Sequence, residues 1–181
     1  MPSTGLEKFN LSGATVLIVD SNANTRLILS QILMGFGVHS PSTATTVDGA
    51  MAAVKGLNFD LILVRAHLGD EDGYDLVEWL RRSGISPNCY TAVIVLSAHT
   101  PVSKVEKARD TGANFIVSAP YSPGILLERI VWISRQPRSY LQTGSYFGPD
   151  RRFHVLPADR HPGGRRSGDD IPDLAAGADS D

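Results

Sequence analysis

Hydrophobic residues come in short bursts along residues 14–136, and each burst is followed by a stretch in which they recur every three or four positions. The bursts are Ala14–Val19, Val38–Ser42, Leu61–Val64, Ala92–Leu96 and Asn114–Ser118. Runs this short and rich in branched residues predict strands buried on both faces. The second is the weakest, because Pro41 interrupts it and cannot donate to a ladder. The stretches between them predict five helices. The first, capped by Ser21 or Asn22, runs through Phe36, with Leu27, Ile28, Ile32, Leu33 and Phe36 at helical spacing. The second spans Val47–Leu57 with Ala50, Ala53 and Val54 inward, and the third Tyr74–Ser83 with Leu76, Val77 and Leu80 inward. The fourth, Pro101–Thr111, is more polar and closes at Gly112, and the fifth, Pro123–Arg135, carries Ile125, Leu126, Ile130 and Ile133.

Five strands alternating with five helices predict an α/β fold, a parallel sheet wrapped on both faces by right-handed crossovers. The flavodoxin-like, doubly wound order 2-1-3-4-5 is the expected arrangement. It gathers the carboxyl ends of strands one, three, four and five around one crevice. The residues at those ends are Asp20 and Ser21, Arg65, Ser97, and Ala119 with Pro120. The stretch Phe59–Gly73 is the most telling. Its strand leads into Gly69, three acids (Asp70, Glu71, Asp72) and Gly73, yet the residue at the strand tip is the cation Arg65.

Composition narrows the classes. The chain has 181 residues, 42% of them apolar, which is enough for a real core, and a net charge of −2, which argues against a generic nucleic-acid binder. The single cysteine, Cys89, excludes an internal disulfide framework and fits a reducing compartment. Residues 1–13 read as a polar leader without the apolar core of a signal peptide, and no apolar run approaches the roughly 20 residues of a membrane helix. A cytoplasmic protein with no membrane segment is expected. His39, His67 and His99 do not make metal-ligand spacing, and Ser97 has no evident His or Lys partner to activate it. Trp79 and Trp132 lie at amphipathic helical spacing and read as packing residues. No enzymatic activity, cofactor or metal is expected.

Residues 14–136 resemble the receiver domain of bacterial two-component response regulators. The resemblance rests on VLIVDSNANTRLIL, FDLILVRAHLGDEDGYDLVEWLR, AVIVLSA and GANFIVSAPYS, and on the intervals of 44 residues from Ser21 to Arg65 and 22 from Ser97 to Ala119. It implies a CheY-like fold and a crevice with five chemical positions. Two acids hold Mg²⁺, an Asp accepts a phosphoryl group from a histidine kinase, and a Ser or Thr and a Lys before a proline bind the phosphoryl oxygens. Matched position by position, Asp20 is the first acid, Ser21 stands at the second, Arg65 at the acceptor, Ser97 at the hydroxyl and Ala119 at the lysine, followed by Pro120. The aromatic switch position is Ile116, beside Phe115. Arginine is no nucleophile at any accessible pH. The nearest carboxylates, Asp60 and Asp70, would break the strand-loop geometry and both intervals if either were the acceptor. A pseudo-receiver is therefore expected, in which Arg65 takes the place of the metal and pairs with Asp20, Asp70 or Asp72, or else swings into solvent.

Residues 137–181 read as a low-complexity tail, disordered when alone. They hold Arg138, Arg151, Arg152, Arg160, Arg165 and Arg166 with no lysine, and an imperfect repeat places GPDRR and PGGRR 14 residues apart. Arginine pairs on glycine-rich backbone suit anions and planar rings. The pairs Arg151–Arg152 and Arg165–Arg166 are thus a candidate anion site, with cyclic di-GMP, an acidic partner surface or the chain itself as targets. At 45 low-complexity residues, the tail is not expected to bury a core of its own, and no output domain is expected. The expectation is a single-domain, phosphorylation-independent protein-binding module that docks on a kinase or downstream effector. The alternatives are a cyclic di-GMP effector and a conventional phosphorelay receiver with a displaced acceptor. Homodimerisation is open through the face of the fourth helix, fifth strand and fifth helix, which holds Lys104, Lys107, Arg109, Glu128 and Arg129. DNA is not an expected partner, for want of a helix-turn-helix.

Overall fold

The computed structural model describes residues 10–98, 102–135, 138–144 and 146–150. Its order is β1 (Val16–Val19), α1 (Ala23–Gly35), β2 (Ser42–Ala44), α2 (Val47–Gly56), β3 (Leu61–Arg65), β4 (His67–Leu68), β5 (Glu71–Asp72), α3 (Gly73–Arg82), a 3₁₀ turn (Asn88–Tyr90), β6 (Ala92–Ser97), α4 (Val102–Asp110), β7 (Phe115–Ser118), α5 (Pro123–Arg135), β8 (Tyr140–Gln142) and β9 (Phe147–Pro149).

The five long-range strands form one parallel sheet in the order β2-β1-β3-β6-β7. This is the 2-1-3-4-5 order read from the alternation of runs. Each central strand sends alternate side chains to opposite faces, and both faces are covered. Leu17, Val19, Ile62, Val64, Val93 and Val95 pack against α2, α3 and α4. Val16, Ile18, Leu61, Leu63, Ile94 and Leu96 pack against α1 and α5. That two-sided burial is why these strands read as unbroken apolar runs rather than as alternating patterns.

Three local differences from the sequence expectation have physical causes. Strand β2 begins after Pro41, with Ser42 in register with Leu17, because proline has no N–H to give the ladder. Helix α1 turns Leu29 and Leu33 inward, while Leu27 and Ile28 are 59% and 53% exposed. Its apolar residues cover more than one face, so periodicity alone left the phase open. On α5, Leu126 and Ile130 are buried and Ile125 is exposed.

The fourth difference is larger. The expected tail opens with structure. Strands β8 and β9 pair antiparallel, Tyr140 opposite Pro149 and Gln142 opposite Phe147. The Tyr140 hydroxyl donates to the Tyr90 carbonyl at 2.6 Å, and the Tyr90 ring meets Tyr140 and Phe147 edge-on with centroids 5.2 and 5.4 Å away. The aromatic pairs hold a ribbon that two strands alone could not stabilise. Residues 151–181, including both arginine pairs of the candidate anion site, lie outside the described residues.

Candidate functional site

The crevice at the carboxyl edge of the sheet is built by register. Val19 pairs with Val64, and Arg65 pairs with Leu96, so Asp20 and Arg65 leave the sheet at one level and Ser97 follows one residue further along. Ser97 stands opposite Ser118, and the Ala119 amide donates to the Ser97 carbonyl at 2.7 Å. Ser21, Ala119 and Pro120 are exposed at its rim.

Asp20 is 1% exposed. A carboxylate held so deep needs donors around it, and it has them. Arg65 Nη1 donates to Oδ2 at 3.1 Å, and the Asn22 amide donates to Oδ1 at 2.8 Å. Asn22 serves twice, since its own Oδ1 accepts from the Thr25 amide and caps α1. Arg26, on the first turn of that helix, donates from Nη1 to the Asp20 carbonyl at 2.6 Å. Tyr121 completes the surroundings. Burial pushes its hydroxyl above the ordinary tyrosine value, the Arg65 charge pulls it down and the Asp20 charge pushes it up. The sequence reading named Asp20 as one of three partners for Arg65, and the structure brings these two together. It named neither Arg26 nor Tyr121, whose roles depend on helix phase and on where the β7–α5 loop turns.

The three acids after β3 have other work. Asp70 is exposed. Glu71 Oε2 accepts from the Val47 amide at 3.0 Å, at the start of α2. Asp72 caps α3 through the Tyr74 amide and forms an ion pair with Lys107 Nζ at 2.5 Å. The β4–β5 ribbon sets His67 opposite Asp72 and Leu68 opposite Glu71. Gly73 makes the turn sterically feasible: a Cβ there would sit 2.0 Å from the Arg65 carbonyl oxygen. Lys107 also lies 5.1 Å from the Tyr74 ring centre. Arg109 contacts Asp110, and Arg129 contacts Glu128 and lies over Phe115. Several charges of the α4–β7–α5 face thus have partners within the chain.

These residues do not fit a Mg²⁺ ion. Magnesium takes an octahedron of oxygens. Here the buried acid is Asp20, and a guanidinium lies directly on its Oδ2. Among the described residues no group of three or more His, Cys, Asp or Glu is gathered. His39 Nδ1 donates to the Ser12 carbonyl, 3.1 Å away, and His67 is exposed on β4. Cys89 is buried, and burial raises its thiol pKa. Asp60 sits at the other end of β3, where its Oδ2 accepts from the Thr15 amide at 2.8 Å. Asp60 is thus at the opposite pole of the sheet, and Asp70 is exposed.

A second polar centre escaped the sequence reading. Arg81, 2% exposed, donates Nε to the Gly112 carbonyl (3.0 Å), Nη1 to the Cys89 carbonyl (2.9 Å) and Nη2 to Asn114 Oδ1 (3.2 Å). Its guanidinium carbon lies 5.3 Å from the Tyr140 ring centre. Burial lowers its pKa, and the neighbouring Tyr140, Tyr146 and Cys89 oppose that. Nothing in local sequence marks this arginine off from exposed Arg82 beside it.

Comparison with known proteins supports the fold and the family. Residues 16–131 match the model of the response regulator receiver domain. The chain is 27% identical to the transcriptional regulatory protein TcrA of Mycobacterium tuberculosis over 126 residues, 70% of this chain and 48% of TcrA. It is 30% identical to the DNA-binding response regulator MtrA of the same species over 117 residues, 64% of this chain and 48% of MtrA. The chain thus spans about half the length of these curated relatives. Among solved structures, a putative response regulator from Chloroflexus aurantiacus superposes with a TM-score of 0.63 at 24% identity, covering 68% of this chain and 98% of that one. The Vibrio cholerae chemotaxis protein CheY4 gives 0.61 at 24% identity, over 66% and 98%. No described helix is long and apolar enough to cross a membrane. With a receiver-family match over residues 16–131 and a CheY-like 2-1-3-4-5 sheet, this chain belongs to the response regulator receiver domains of two-component signalling.

Proposed function

We propose that this receiver works as a phosphorylation-independent docking module, a pseudo-receiver whose crevice is neutralised from within by Arg65. The observation that carries this is the buried Asp20 carboxylate with Arg65 Nη1 3.1 Å from its Oδ2, at the strand end where the family's acceptor would stand. A guanidinium cannot accept a phosphoryl group, and its positive charge repels the divalent cation that transfer to a carboxylate needs. The positions of Asp60 at the far end of β3 and Asp70 in an exposed turn weigh against a displaced acceptor. The chain acts by surface recognition rather than catalysis, on a protein partner, kinase or effector. What MtrA's name says of DNA concerns MtrA, of which the match covers 48%. Cyclic di-GMP binding by the tail stands as a separate question, since its arginine pairs fall outside the described residues.

The test is acetyl phosphate with Mg²⁺ on the full chain, read by intact mass, beside an Arg65→Asp variant. No phosphoryl adduct is expected on the wild type. A stoichiometric adduct on the wild type overturns the proposal. An adduct on Arg65→Asp alone supports it directly, because only the acceptor was restored.

A further inference from the structure

Helix α1 has two apolar sides. Leu29 and Leu33 are buried against the sheet, while Leu27, Ile28 and Met34, on the opposite side, are each more than half exposed. Of the eight exposed large hydrophobic residues among those described, five lie singly on five different segments and these three share one helix face. Scattered apolar residues are ordinary on a surface, and a shared face is not. Gln31 stands in the middle of that face, with Leu27 four residues before it and Gly35 four after, Ile28 three before and Met34 three after. Asn24, Gln31 and Gly35 are exposed as well. Arg26 is the one charged residue of the helix, and its guanidinium is drawn back to the Asp20 carbonyl. The outer face is therefore uncharged along its length.

We propose that this face of α1 is where a second copy of the chain docks, antiparallel, about a two-fold axis through Gln31. The spacing around Gln31 makes the face complementary to itself. Leu27 meets the partner's Gly35, and Ile28 meets the partner's Met34. Gly35 offers a hollow for the larger side chain, since a Cβ added there would have nothing within 4 Å. The Gln31 amide carries both donors and an acceptor, so two copies bond each other on the axis. Like charges facing each other across an axis oppose pairing, and this face brings none together. A charged partner surface would give up its hydration here without gaining a group to pair with. The α4–β7–α5 face is served differently, because Lys107, Arg109 and Arg129 contact Asp72, Asp110 and Glu128 of their own chain. One helix face is small for an interface, so the dimer is weak and depends on concentration.

The test is sedimentation velocity of the full chain from micromolar to near-millimolar concentration, where a shift from monomer to dimer is expected. Gln31→Glu puts two carboxylates on the axis and is expected to weaken association about a hundredfold. Gly35→Gln fills the hollow and is expected to weaken it about tenfold. Both positions are exposed, so neither variant should lower the Tm of dilute protein. Register is read by oxidation with diamide. Gln31→Cys is expected to give a disulfide-linked dimer, while buried Cys89 stays out of the reaction. Asn24→Cys, on the same face but seven residues from the axis, is expected to stay unlinked. Its two copies would stand about 21 Å apart at 1.5 Å per residue, beyond the roughly 7 Å between Cα atoms that a disulfide spans. The proposal fails if the chain is monomeric throughout, if Gln31→Glu associates like the parent, or if Asn24→Cys links as readily as Gln31→Cys.

Discussion

Replacing Arg81 by methionine tests the reading of the buried cation most severely. Methionine keeps the length and apolar stem but removes all five N–H donors. The Gly112 and Cys89 carbonyls and Asn114 Oδ1 then lose donors now at 3.0, 2.9 and 3.2 Å. A hydrogen bond from a charged donor is worth about 1.5 kcal/mol or more, so three represent roughly 4–5 kcal/mol. Relief of the desolvation of a 2% exposed guanidinium offsets part of this. A net loss of ~3 kcal/mol is expected, or ~10 °C in Tm at about 3 °C per kcal/mol for a domain of this size. The assay is equilibrium urea unfolding with the slope compared between variants. Because the guanidinium also lies on Tyr140, limited proteolysis should cut residues 138–150 faster in the variant. Arg81→Lys should fall between the two, since an ammonium cannot span three acceptors in one plane. A loss under ~1 kcal/mol for Arg81→Met, at unchanged slope, would refute the account of Arg81 as the strut between α3, the Gly112 turn and the hairpin.

Three further outcomes follow from the same geometry. Burial raises the Tyr140 hydroxyl pKa, so the folded state holds that proton more tightly than the unfolded chain. Its contribution is present below the ordinary tyrosine value of about 10 and is lost as pH rises through the folded value; thermal melts between neutral and alkaline pH should show a shallower decline in Tyr140→Phe. Gly73→Ala places a Cβ 2.0 Å from the Arg65 carbonyl and should destabilise strongly, whereas Gly56→Ala, with nothing within 4 Å, should stabilise α2 by about 0.5–1 kcal/mol in the same urea titration. Asn88→Ala removes an acceptor from the Phe59 amide and donors from the Val54 and Leu57 carbonyls, and should cost ~3 kcal/mol by chemical denaturation.

The strands were legible because burial on both faces writes itself into sequence as uninterrupted apolar runs, and their order followed from alternation with helices. The crevice was legible because Asp20, Arg65 and Ser97 end such runs. The Asp20–Arg65 pairing was one of several open outcomes, since sequence does not say that the β4–β5 ribbon would turn Asp72 toward Lys107. Leu27 and Ile28 misled because α1 is apolar on more than its buried face. The hairpin was hidden by a Gly-, Pro- and Ser-rich composition. Its signal was slight, two short aromatic-bearing runs, Tyr140–Gln142 and Tyr146–Phe147, on either side of Thr143-Gly144. Arg81 had no signal, because its burial is created by Gly112, Asn114 and Tyr140, all more than twenty residues away in sequence.

The cation that meets Asp20 is part of the same chain. A dissolved ion occupies its site according to its free concentration and its dissociation constant. Arg65 has no such dependence. It is present once for every Asp20, it does not diffuse away, and no chelator competes for it. On the proposed reading, the population of receivers in this state is set by synthesis and degradation, and a cell adjusts the signal by changing how many copies it makes.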